Sequence, residues 1–226
     1  TTAKYFRTFP SLFGASPSRA GTFAGIPCRT LPRSADIKDV SFRIRRLSPQ
    51  EFVMLAPPLV DIYIAAMGYS PAMRANRIKA WKDDVMRPGF TAVIAEDEYG
   101  IGGVAYGFIG SPDTWWDRQL RRGFAEAGGA TQEQLEILHN YFELAEIHVA
   151  PNLQGHGLGL ALIKELAWNA PASYLLLSTP EVPDEANAAF RLYRKVGFFD
   201  VLRELEYPAD SRAFAILAAR LPLSTT

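Results

Sequence analysis

The sequence predicts a mixed α/β (α+β) domain, and three observations carry that prediction. From residue 41 onward, short β-rich apolar stretches alternate with helix-patterned segments, so strands and helices are interleaved along the chain. Two pairs of strands follow each other with no helix between them, which requires antiparallel neighbours in the sheet. One strand passes through a short turn straight into a glycine-rich helix start, Gln154-Gly155-His156-Gly157-Leu158-Gly159.

Residues 1–40 stand apart as an extended basic arm. Lys4, Arg7, Arg19, Arg29 and Arg33 meet no acidic residue before Asp36, and Pro10, Pro17, Pro27 and Pro32 break any helical or strand period. Phe and Tyr residues at 5, 6, 9, 13 and 23 suit an arm laid against its own surface or a neighbour's, so a homodimer involving the arm is an expectation. The domain proper, 41–226, opens with alternation over Ser41–Arg46, a first strand. Ser48-Pro49-Gln50-Glu51 reads as a capping box with proline in the first turn, starting a helix expected to reach Met67 with an interruption at Pro57-Pro58. A second helix is predicted from about Pro71 to Met86. Phe90–Glu96 and Gly102–Gly110 form a hairpin through Glu98-Tyr99-Gly100. A polar, helix-prone insertion occupies about 111–139. The remainder reads as strand Tyr141–Val149, helix Gly157–Asn169, strand Ser173–Ser178, helix Glu185–Lys195, and strands Phe198–Glu204 and Arg212–Ala218.

Composition narrows the function. The chain has 226 residues, and its 24 basic and 24 acidic side chains cancel, which argues against nucleic acid as a partner. The cancellation hides the arm's five positive charges, which leave residues 36–226 with 19 positive and 24 negative. A single cysteine, Cys28, precludes an internal disulfide and suggests a reducing, cytoplasmic location. The longest apolar stretch, 52–69, is broken by Pro57, Pro58 and Asp61, so no membrane association is expected.

The glycine-rich turn carries the chemistry. Helix N-termini present unpaired N–H groups and a positive dipole end to anions, and glycines let the backbone approach closely. A Walker P-loop is excluded, since the first lysine after these glycines is Lys164. The dinucleotide fingerprint needs a sixth-position glycine where Leu160 stands, and it has no place for the Pro151 turn.

The spacing of Gln154, Gly157 and Gly159 resembles the acetyl-CoA motif of the GNAT superfamily of N-acetyltransferases. Glu143-Leu144-Ala145-Glu146-Ile147-His148-Val149-Ala150-Pro151 is similar to that family's preceding strand, and Leu192-Tyr193-Arg194-Lys195-Val196-Gly197-Phe198 to the end of its next helix. The resemblance covers about residues 41–221. It implies a mixed, mostly antiparallel sheet splayed between its fourth and fifth strands, with helices on both faces. It also implies acetyl-CoA as cosubstrate and no metal. The backbone of Ile147, His148 and Val149 would pair with pantetheine, and the amides of Gln154, Gly155, His156, Gly157, Leu158 and Gly159 would cradle the pyrophosphate. Many members keep an asparagine seven residues before the motif tyrosine; here Asn187 is six before it and Ala186 holds that place.

Acyl transfer to an amine needs a base, because an ammonium has no lone pair. Glu143 matches the family's glutamate and is the first choice; Glu146 is the second, on the opposite face by strand alternation unless a bulge intervenes. Tyr193 matches the family's proton donor to the leaving thiolate. His148 replaces an aromatic residue and can face the substrate. Tyr63, Tyr69, Trp115, Trp116 and Glu146 are candidates for holding a small-molecule or peptide amine, since ring faces and carboxylates attract an ammonium. The alternative is a catalytically silent relative that binds CoA as a sensor or interaction domain.

Overall fold

The computed structural model describes residues 41–208 and 210–224; the basic arm lies outside the described residues. Seven strands form one sheet, β1 (Arg43–Leu47), β2 (Thr91–Asp97), β3 (Gly100–Ile109), β4 (Tyr141–Val149), β5 (Tyr174–Pro180), β6 (Phe199–Glu206) and β7 (Ala213–Arg220), in the order β1-β2-β3-β4-β5-β7-β6. Every neighbouring pair is antiparallel except β4–β5. The helices are α1 (Pro49–Met67), α2 (Arg74–Asp84), α3 (Trp115–Glu126), α4 (Gln132–His139), α5 (Leu158–Ala167) and α6 (Ala188–Val196).

Strand alternation sorts the side chains into two layers. Val93, Ala95, Ala105, Phe142, Leu175, Leu177, Ala215 and Leu217 pack under α5 and α6. Their alternates face the opposite side, which two helix pairs divide. Ala92, Ile94, Val104 and Tyr106 meet α1 and α2. Tyr174, Leu176, Phe214 and Ile216 meet α3 and α4, the helices of the 111–139 insertion. Helices therefore cover both faces, and the seam between the two helix pairs lies over β4 and β5.

Local signals account for most element ends. Ser48 and Glu51 form the capping box of α1, and Thr131 and Gln134 form that of α4. Thr114 caps α3 by accepting from the Asp117 amide at 3.0 Å. The expected break at Pro57-Pro58 does not occur: α1 runs unbroken to Met67 and ends at Gly68 in the left-handed conformation. The two prolines remove the helical partners of the Val53 and Met54 carbonyls, and Met54 stands on the exposed side of the helix. By length and hydropathy α1 would suffice to cross a bilayer. In this fold its Phe52, Ala56, Leu59, Val60 and Tyr63 are buried, and its Asp61 pairs with Arg74 at 2.6 Å.

Two further boundaries differ from expectation. Residues 71–73 form a 3-10 turn before α2. α6 begins at Ala188, not Glu185, because Asp184 and Glu185 adopt positive φ (53° and 52°) and Asn187 takes the N-cap.

Candidate active site

β4 positions the site through an irregularity in its ladder. Its register with β3 runs Phe108↔Glu143 and Gly107↔Leu144, then continues at Tyr106↔Glu146, leaving Ala145 as an inserted residue. This is a β-bulge. Gly107 permits it: a Cβ there would lie 2.2 Å from the Glu143 carbonyl oxygen and 2.4 Å from the Phe142 ring, a closeness no other residue allows. The bulge changes which side chains share a face. Regular alternation puts Glu143 and Glu146 on opposite faces; with Ala145 inserted, both turn toward one cavity together with His148. Leu144, Ile147 and Val149 pack on the α5/α6 side.

On its other edge β4 holds β5 at only three positions, from Tyr141↔Tyr174 to Glu143↔Leu176. Beyond them the strands diverge, and the gap is a cavity of about 290 Å³ open to residues from both faces of the sheet. From the α1/α2 and α3 side come Tyr63, Tyr69, Arg77, Trp116, Glu143, Glu146 and His148; from the α6 side come Leu177, Thr179, Asn187, Ala189 and Tyr193.

The first side is dense with charge and aromatic rings. Glu143 is 2% exposed. The Glu146 carboxylate lies 2.7 Å from His148 Nε2 and 3.8 Å from Arg77. The Arg77 guanidinium lies 5.0 Å over the Tyr63 ring, a cation–π contact. The Tyr63 and Trp81 rings both contact His148, at 4.8 Å edge-on and 6.3 Å stacked. The His148 side chain thus belongs to the α1/α2 face. Trp116 is fixed by α3, whose Asp117 is wholly buried and takes bonds from Tyr141 (3.1 Å) and Arg121 (2.5 Å). Trp115 is not among the cavity's residues; its ring packs 5.6 Å from Tyr207.

Across the split, Tyr193 is 7% exposed and its ring packs on Phe198 at 5.6 Å. Burial, with the Glu146 charge adding to it, raises the Tyr193 hydroxyl above the ordinary tyrosine range. Burial and Glu146 raise Tyr63 in the same way, with Arg77 opposing. Both hydroxyls are therefore fully protonated at neutral pH. Asn187 lines the cavity, and its side-chain oxygen accepts from the Phe190 amide at 2.8 Å as the cap of α6.

The glycine-rich turn follows β4. Gly155 and Gly157 both take positive φ (83° and 82°), and Gly157 is the N-cap of α5. The first helical bond runs from Ala161 N to Gly157 O, so the amides of Leu158, Gly159 and Leu160 precede the ladder. The first turn carries no acidic side chain. That combination fits a pyrophosphate. Gln154 acts inward, donating to the Val149 carbonyl at 3.1 Å and bracing the turn. Leu158 anchors α5 in the core. At Gly159 a Cβ would lie 2.8 Å from Leu192, so this glycine also sets the approach of α5 to α6. The side chain of His156 is exposed.

Several cavity residues carry no sequence signal. Arg77, Arg212, Ser178 and Thr179 reach it from α2, the β6–β7 connection and β5, and only the topology brings them together. Arg212 is held by Asp210, whose two carboxylate oxygens take bonds of 3.0 and 2.7 Å.

Comparison with known proteins agrees with this architecture. The model of the acetyltransferase (GNAT) family matches residues 58–198, more than half of the chain. The GCN5-like protein acetyltransferase Rv2170 of Mycobacterium tuberculosis is 34% identical over 199 residues, covering 78% of this chain and 97% of that one. Among solved structures, a chain assigned to the GNAT family from Desulfovibrio desulfuricans superposes with a TM-score of 0.55 at 19% identity, covering 80% of this chain and 99% of its own. The yncA protein of Salmonella typhimurium, solved with acetyl-CoA, gives 0.52 at 14% identity, covering 80% and 94%. A sheet that opens between β4 and β5, a glycine turn directly after β4, and a family match spanning both have one reading: this chain belongs to the GNAT family of acetyltransferases.

Proposed function

We propose that the protein transfers an acetyl group from acetyl-CoA directly to a primary amine, with Glu143 as the base and Tyr193 as the acid. The observation that carries this reading is the single cavity through the β4–β5 opening, with Glu143 on one side of the sheet and Tyr193 on the other. In that arrangement an amine approaches from the α1/α2 side and the thioester lies toward α6. The glycine turn holds the pyrophosphate, and the edge of β4 left open beyond Glu143 pairs with the pantetheine amides as an added strand.

Glu143 takes a proton from the acceptor ammonium, directly or through one water, freeing the lone pair for attack on the thioester carbonyl carbon. The C–N bond forms, the C–S bond breaks, and the sulfur takes the Tyr193 proton as it leaves. The second proton of the acylated nitrogen passes through water to the Tyr193 oxygen, and Glu143 releases its proton to solvent. Burial keeps Tyr193 protonated, so the proton is present when thiolate charge develops. Glu146, with His148 and Arg77 against it, sets the charge of the acceptor side. We assign a peptide or protein amine as the first acceptor to test, because a 34% identical relative that the chain covers almost completely is named a protein acetyltransferase.

Thiol release from acetyl-CoA, measured with a lysine peptide, an N-terminal amine peptide and small polyamines, tests the reading. Turnover on at least one amine is expected. CoA binding without turnover on any of them would replace it with a silent, CoA-binding role.

A further inference from the structure

The helical insertion reaches the cavity through a chain of directed hydrogen bonds that the proposed chemistry does not use. Trp116 Nε1 donates to the Tyr207 hydroxyl at 2.8 Å, and the Tyr207 hydroxyl donates to Ser178 Oγ at 2.9 Å. The first two members are buried, at 4% and 2% exposure. An indole N–H can only donate, so Tyr207 is the acceptor in the first bond, and its hydroxyl is the donor in the second. Tyr207 accepts there and passes its own proton onward. Ser178 receives at its oxygen, which leaves its own O–H to be given elsewhere.

The location of Ser178 says where. Leu176 is the last β5 residue in register with β4, opposite Glu143. Ser178 is two residues further, hence on the same face as Leu176 and Glu143, and it lines the cavity beyond the point where the strands part. Among the described residues its oxygen takes part in the Tyr207 bond as acceptor. The anchor of the chain is rigid: α3 is tied to the root of β4 by the buried Tyr141–Asp117 bond.

We infer that Ser178 is a specificity-determining residue of the acceptor site, donating a hydrogen bond to an oxygen carried by the acceptor amine, so that carbonyl- or hydroxyl-bearing amines are preferred to plain alkylamines. Such a donor is preorganised, because Tyr207 and Trp116 hold the oxygen that carries it. A site built to hydrogen-bond a substrate oxygen discriminates against the analogue that lacks one. The inference rests on the acetyltransferase reading above and adds the chemistry of the acceptor to it.

The test compares kcat/KM for a blocked lysine peptide with that for pentylamine, which presents the same primary amine on an alkyl chain without oxygen. Wild-type protein should favour the peptide. Ser178→Ala should lower the peptide-to-pentylamine ratio about five- to tenfold, the equivalent of one neutral hydrogen bond, through the peptide's KM. Ser178→Thr keeps the hydroxyl and should restore the ratio. A ratio unchanged in Ser178→Ala, or lowered equally in Ser178→Thr, would overturn the inference and leave the acetyltransferase reading intact. Absence of turnover on both amines by the wild-type protein would overturn that reading and this inference with it.

Discussion

At the glycine turn after β4, the groups on offer are helix-terminal backbone amides, two residues hold positive φ, and the side chain at 156 is exposed. In the cavity between β4 and β5, the lining on the α1/α2 and α3 side is made of side chains: Glu143, Glu146, His148, Arg77, Tyr63 and Trp116, drawn from four separate elements. In the proposed function the first region binds the constant part of the cosubstrate, for which a fixed backbone cradle is sufficient. In the same proposal the second recognises one acceptor among many, and only side chains differ enough to do that. The contrast also separates two kinds of mutational sensitivity, one to backbone conformation and the other to side-chain chemistry.

Glu143→Gln should produce the largest effect on that contrast. It removes the base at the side-chain end while leaving the cradle intact, so kcat should fall about 10²- to 10⁴-fold with CoA affinity retained. A parallel loss of CoA binding would mean that the two ends are not independent. Gly157→Val acts at the other end. A side chain in the left-handed conformation costs about 1–2 kcal/mol, so CoA binding measured by calorimetry should weaken about 5- to 30-fold. His156→Ala, one residue away, should change it less than about twofold, since only its amide is used. Equal losses in these two variants would show that the cradle is not built from backbone.

Gly107→Val attacks the bulge that joins the two ends. Overpacking against the Glu143 carbonyl and the Phe142 ring should cost about 1–3 kcal/mol, read as a lower denaturation midpoint, together with a loss of activity greater than the loss of folded protein. The smallest effect belongs to the network beneath α6. Arg203 bonds to Glu181 at 2.9 and 3.1 Å and holds its carboxyl below the usual range. A depressed carboxylate contributes stability above its unfolded value of about 4.3, and that contribution is lost as pH falls through the lower folded value. Arg203→Gln should therefore be less stable than wild type at pH 7 by about 0.5 kcal/mol after solvent screening, with the gap closing in acid. A gap that widened in acid would contradict this assignment.

The same contrast explains what the sequence made legible. The turn after β4 could be read because positive φ and close approach restrict the residue type: Gly155 and Gly157 sit where other residues are strained. Tyr193 was legible through its spacing to Gly197, the left-handed cap of α6. The shared face of Glu143 and Glu146 was not, because it depends on Gly107 in another strand, and a bulge has no signature in the strand that carries it. The unbroken path of α1 through Pro57-Pro58 was not legible either, because the burial of Phe52, Ala56, Leu59, Val60 and Tyr63 holds the helix together across the prolines. Nor does any local pattern announce Ser178 and Tyr207, whose bond to Trp116 spans 91 positions. Asn187 shows a mixed case. Its offset from the family position was visible, but its place as the N-cap of α6, after two positive-φ residues, was not.

The central claim is that Glu143 and Tyr193, on opposite sides of the opening between β4 and β5, carry one proton each in a direct acetyl transfer. The most direct measurement is thiol release by wild type, Glu143→Gln and Tyr193→Phe on the same amine, with CoA affinity measured calorimetrically on each protein. The account predicts CoA affinities within about threefold of one another and turnover lowered at least about a hundredfold in Glu143→Gln, with a loss in Tyr193→Phe as well. Turnover in both variants equal to wild type, at equal CoA affinity, would contradict it.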